Sequence, residues 1–146
     1  MPTVKSIAYR KNPKTPMIEV DQAEISCEAG VVLDFRGKPG KRQVTLLSAQ
    51  SWQTVCDALN TDLPWTYRRA NILIDGLCFS AADVGTIIQI GNVQLMVMIE
   101  TDPCPRMDAQ FEGLTQALTP DWRAGVCCKV VQSGTVHIGD KVEFLS

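Results

Sequence analysis

The chain has 146 residues, a length near the commonest single-domain size, and is read as one domain spanning 1–146. Apolar residues make up 45% and charged residues 21%, proportions that fit a globular chain and exclude a disordered one. The formal net charge is −2 with Lys and Arg scattered, so there is no electrostatic basis for binding duplex nucleic acid or an anionic membrane.

The opening stretch MPTVKSIAYRKNPKTP has no apolar signal core, and a cytoplasmic protein is expected. Short Val-, Ile- and Leu-rich segments bounded by Gly, Pro, Asn and Asp then predict strands over 4–9, 17–25 and 43–47. In SAQSWQTVCDALN the residues Trp52, Val55, Cys56 and Leu59 recur at helical spacing, with Ser48 as N-cap and Asn60 as the stop. Strands are predicted again over 71–74, 86–90 and 93–99; the longest apolar run, IIQIGNVQLMVMI, is too short and too polar to span a bilayer.

In MDAQFEGLTQALTP a second helix is expected. Phe111, Leu114 and Leu118 share a face, Asp108 is the candidate cap and Pro120 the stop, although an interior Gly113 costs about 1 kcal/mol relative to Ala. Strands over 126–131, 135–138 and 142–145 complete the pattern. GTIIQIGNVQL and GTVHIGDKVEF both read as hairpins turning at Gly-Asn and Gly-Asp, a shared turn chemistry rather than a repeat. So many short strands must close or stack to bury a face, which predicts a mainly β fold: a closed or partly open β-barrel with two or more short helices.

Six cysteines stand at 27, 56, 78, 104, 127 and 128. Without a secretory signal they are expected as free thiols, and no spacing among them matches a structural zinc site. Cys27, Cys56, Cys78 and Cys127 have apolar or small neighbours and read as core residues. Cys104 differs, because it lies between Pro103 and Pro105 on a stiff, extended corner that presents a side chain well and packs it poorly. A helix beginning near Pro105 would aim its first N–H groups at this thiol and favour the thiolate. His137 alternates with Val136 and Ile138 and is expected at the surface or rim.

Four stretches in fixed order, GKRQVTLLS, RRANILIDGL, ETDPCPRM and AGVCCKVVQSGTVHIGDKVEF, resemble the MOSC domain, found at the C-terminus of molybdenum cofactor sulfurases and in amidoxime-reducing proteins; the resemblance runs over 31–146. It implies a β-barrel and a bound molybdenum cofactor, a molybdopterin. Cys104 falls where the family's cysteine meets the metal or carries sulfur, roles for which a soft thiolate is suited. The cofactor's phosphate calls for guanidinium forks, for which Arg42, Arg68, Arg69 and Arg106 are the candidates. Asn71 is placed either to bond the pterin or to tie its own turn, and Asp102 either to modulate the cysteine or to cap the bend.

The desulfurase-like half that carries a pyridoxal phosphate lysine in the sulfurases is not in this sequence, so no pyridoxal phosphate is expected and an external sulfur or electron donor protein is implied as partner. Two activities follow from the resemblance, reduction of N-hydroxylated compounds or sulfur transfer. The alternative is a noncatalytic β-barrel interaction module without bound cofactor. Oligomeric state is not legible in the sequence.

Overall fold

A computed structural model of the protein describes residues 2–12, 15–34, 39–101, 107–108 and 111–145. Alternating and continuous apolar runs form eleven strands among them: β1 (Thr3–Tyr9), β2 (Ile18–Val20), β3 (Gln22–Ser26), β4 (Gly30–Val31), β5 (Val44–Ser48), β6 (Ile72–Asp75), β7 (Ile87–Ile90), β8 (Val93–Glu100), β9 (Val126–Gln132), β10 (Gly134–His137) and β11 (Val142–Leu145). The α-helices are α1 (Ala49–Ala58) and α2 (Leu114–Leu118). No helix among the described residues is long and apolar enough to cross a membrane.

Eight strands form one sheet in the order β11-β7-β8-β9-β5-β6-β1-β2, and three form a second in the order β10-β3-β4. The expected barrel is not confirmed, because neither sheet closes. The edge of β1 that would meet β11 is taken by β2, through pairs Ile7 with Val20 to Tyr9 with Ile18. Contact between β1 and β11 is reduced to one bridge, Thr3 with Lys141, and neighbouring bonds such as Val142 N–H to the Pro2 carbonyl. The second predicted hairpin is also corrected. β7 and β8 do pair across Gly91 and Asn92, but β10 joins β3 while β11 joins β7, so the chain changes sheet at its Gly-Asp corner. Similarly, the run 17–25 is split at Asp21 into β2 and β3, which lie in different sheets.

Two apolar layers result. Ile7, Leu46, Ile72, Ile88, Val126 and Cys128 from the large sheet meet Ala23, Ile25, Val31 and Val136 from the small one, forming the inner core. On the other face, Ala8, Leu47 and Leu73 pack under Trp52, Val55 and Cys56 of α1 and Leu114 and Leu118 of α2. The sequence VTLLS of β5 serves both layers, since it is paired on both edges, parallel to β6 and antiparallel to β9. The α1 segment is as predicted: Ser48 caps it by accepting the Ser51 N–H at 3.1 Å, and Asn60, at φ 56°, ends it.

α2 departs from expectation. It begins only at Leu114, because Gly113 adopts φ 86° and so precedes the helix instead of interrupting it. Gly113, not Asp108, is its N-cap, although the Asp108 carboxylate, seven residues upstream, accepts the Thr115 N–H of the first turn at 3.0 Å. The helix expected to begin near Pro105 thus has its α-helical part ten positions after Cys104, which itself lies outside the described residues.

Gly125 permits the junction of β9 with β5. A Cβ there would collide with the Leu46 carbonyl oxygen, and φ is +94°. Gly85 has similar φ, +88°, with open space around it. Gly85→Ala should cost about 1–2 kcal/mol from backbone conformation alone, and Gly125→Ala distinctly more, measured by urea unfolding. Equal losses would show that the close approach at Leu46 relaxes freely.

Candidate functional site

A 3₁₀ turn, Trp65–Tyr67, leads into β6 and sets the arginines. Arg68 leaves that turn extended, at φ −80° and ψ 141°, so successive side chains alternate in direction. Arg68 is buried, Arg69 exposed, Ala70 and Asn71 buried. The Arg68 guanidinium donates through Nη2 to the Ala124 carbonyl at 3.0 Å and has Nη1 3.9 Å from the Met107 sulfur. At 4% exposure it acts within the protein, whereas Arg69 and Arg42 face solvent.

Asn71 is fully engaged by backbone. Its Oδ1 accepts the Thr45 N–H at 3.0 Å and its Nδ2 donates to the Ala8 carbonyl at 3.3 Å. Its own N–H donates to the Thr45 carbonyl and its carbonyl accepts the Ala8 N–H, at 2.8 and 2.7 Å. Of the two roles open to it, the geometry supplies the tying of strands. Arg42 stands two residues before β5 and Arg69 three before β6. Because these strands are parallel, both exposed guanidiniums belong to the same end of the pair.

Sequence reasoning missed three residues that meet on the helix-covered side of the large sheet. Thr45 and Cys127 are directly paired across β5 and β9, and the Cys127 sulfur lies 3.8 Å from Thr45 Oγ1 and 3.3 Å from Thr101 Oγ1. Thr101 is held further by its N–H to the Gly125 carbonyl at 3.0 Å. Alternation in VCCKV could have separated Cys127 from Cys128, but no local pattern reveals the register that pairs Cys127 with Thr45. Cys128 points into the inner core, where burial first and then the adjacent Cys127 push its thiol far above the ordinary value of 9.0. It is an inert core thiol. Asp102, Cys104 and Arg106 lie outside the described residues.

Two of the cysteines expected in the core are corrected. Cys78 is exposed, with its sulfur 3.6 Å from the Ser48 hydroxyl at the start of α1, and Cys27 is half-buried beside Ser133. Apolar neighbours in sequence mislead at Cys78 because it lies past the end of β6, between Leu77 and Phe79 that pack on the inner core while its own side chain stays outside. Cys56 and Cys127 are buried as expected, Cys128 is buried too, and the five described cysteines are free thiols.

Timed alkylation with peptide mapping should label Cys78 fastest among these five and Cys128 last; early labelling of Cys127 or Cys128 would contradict this packing. The arginines should separate as well. Arg68→Ala should lose about 1–3 kcal/mol, because a buried carbonyl is left without its donor, whereas Arg69→Ala should stay within about 0.5 kcal/mol. Equal unfolding midpoints would remove the internal role from Arg68.

The family model for the MOSC domain matches residues 20–143. No curated protein matches the chain. Among solved structures it is similar to the YuaD protein from Bacillus subtilis, with TM-score 0.82 at 16% identity, covering 99% of this chain and 96% of that one. It is also similar to YiiM from Geobacillus stearothermophilus, with TM-score 0.76 at 16% identity over 100% and 76% of the two chains. YiiM from Escherichia coli gives 0.73 at 16% identity over 99% and 70%. At such identity these likenesses establish the shared fold.

Proposed function

Since the chain belongs to the MOSC domain family, we propose that it holds a molybdenum cofactor on the helix-covered side of its large sheet, with Cys104 as metal ligand or sulfur carrier. The observation that carries this reading beyond family membership is the pair Arg42 and Arg69. Both are exposed at the same end of the parallel β5–β6 pair, and neither has an ion-pair or hydrogen-bond partner among the described residues. Two free guanidinium forks in one region are a donor set that fits the cofactor's phosphate.

Arg42 and Arg69 would hold the phosphate. Asn71 and Arg68 would fix the strand start that carries Arg69, and Thr101, tied to Gly125 and Cys127, would position the chain just before the Asp102–Arg106 stretch. Bound, the cofactor would supply a metal centre that accepts a thiolate and exchanges oxygen or sulfur. The chain's own contribution is then to bind, to orient, and to keep the Thr45–Cys127 surface dry beneath the site. Reduction of N-hydroxylated compounds requires an external electron donor protein and sulfur transfer an external sulfur donor, so either activity has a second protein as partner.

One observation favours the noncatalytic alternative. Asn71 and Arg68, two of the candidate ligands, are spent on backbone carbonyls and amides, which leaves fewer donors for a pterin. Metal analysis after expression in a host that makes the cofactor separates the readings. Near-stoichiometric molybdenum, with pterin fluorescence after oxidation, is expected; both should fall in Arg69→Ala and Cys104→Ser variants that keep the parent melting temperature. Folded protein with molybdenum far below stoichiometry would instead support the interaction module. Amidoxime turnover by holoprotein with an artificial electron donor would then assign reduction over sulfur transfer.

A further inference from the structure

On the face of the large sheet turned away from the inner core, α1 and α2 pack over β1, β5 and β6. Over β11, β7 and β8 the same face carries apolar side chains that belong to neither core layer. Alternation identifies them. Ile88, Leu95, Cys128 and Val142 point into the inner core, so Ile87, Met96, Lys129, Glu143 and Leu145 point outward.

Strand register sets these side chains in two rows. Leu145 pairs with Ile87, Ile87 with Met96 and Met96 with Lys129, a row that is apolar across three strands and ends in an ammonium on the fourth. The adjoining row begins at Glu143, paired with Gln89, and continues through Gln94 to Gln132. Leu145 is 37% exposed, Ile87 and Met96 are half-buried, and Lys129 and Glu143 are exposed. Neither charge has an ion pair or hydrogen bond among the described residues. With strands about 4.8 Å apart, β9 and β11 are separated by about 14 Å, too far for the two outward charges to pair within one chain.

We infer that this face seats a second copy of the chain, packed sheet on sheet about a two-fold axis that runs along the strands between β7 and β8. Such an axis exchanges β7 with β8 and β11 with β9, so the two halves of the apolar row meet each other. Ile87 lies over the partner's Met96, and Leu145 over the aliphatic stem of the partner's Lys129. Facing sheets stand about 10 Å apart, a gap that side chains of this size fill from both sides. The Lys129 ammonium then reaches the partner's Glu143 one row along. Charge selects the occupant: in these two rows the cation stands on β9 and the anion on β11, so a copy turned over about this axis matches both, whereas a partner of a single sign meets one like charge. The inference does not rest on the cofactor reading, since none of these residues belongs to the candidate site.

The test is sedimentation velocity of the full chain from micromolar to millimolar concentration. A dimer should form as concentration rises, and Met96→Lys should weaken it at least about tenfold in dissociation constant without lowering the melting temperature. Lys129→Glu and Glu143→Lys should each weaken it at least about threefold, the scale of one exposed ion pair, and the two together should restore it. Should Met96→Lys melt below the parent, the charge exchange decides alone. A chain monomeric throughout, a dimer indifferent to Met96→Lys in a folded variant, or a double exchange that fails to restore association would overturn the inference.

Discussion

Four hydrogen bonds made by one residue, Asn71, join three strands at the point where the large sheet changes character. β6 runs parallel to β5 and antiparallel to β1, and Asn71, just before β6, bonds Thr45 of β5 and Ala8 of β1 through both its backbone and its side chain. The residue is 5% exposed, so these groups have no water to fall back on, and each lost bond would strand a buried donor or acceptor. The clamp fixes where β6 starts, and with it the direction in which Arg68 and Arg69 leave the preceding turn.

From that constraint follows a division of the sheet into two working faces. Inward, Leu46, Ile72, Val126 and Cys128 fill the space below the small sheet. Outward, Thr45 and Cys127 meet Thr101, and α1, α2 and the Arg68 guanidinium cover the strands around them. A one-residue change in the β5–β9 register would exchange these sets, placing hydroxyls in the core and Leu46 under the arginines. The collision that any side chain at Gly125 would make with Leu46 resists such a change.

Most strands, α1 and its Ser48 cap are legible in the sequence because each depends on local periodicity or on one side chain acting within four residues, whereas the two-residue β4 is too short to show a period. What is not legible depends on partners distant in sequence. Nothing in GTVHIGDKVEF shows that its two halves choose different sheets, and nothing near residues 17–25 shows that β2 will occupy the edge a barrel needs. By pattern alone Gly113 is a defect inside a helix, whereas its positive φ makes it the residue from which α2 departs. Among site residues, only the fold shows that Arg68 is the buried and Arg69 the exposed member of the pair. Thr45, Thr101 and Cys127 come from three segments, and only the strand register brings them together.

In the proposed function the clamped outer face, not the face on the inner core, receives the molybdenum cofactor. Hydrogen exchange followed by mass spectrometry, comparing apoprotein with protein carrying the cofactor, addresses this directly. Slowed exchange is expected over 41–46, 68–71 and 99–101, with 22–25 and 31–34 unchanged. Slowing confined to 22–34, or none at 68–71, would contradict the outer-face assignment.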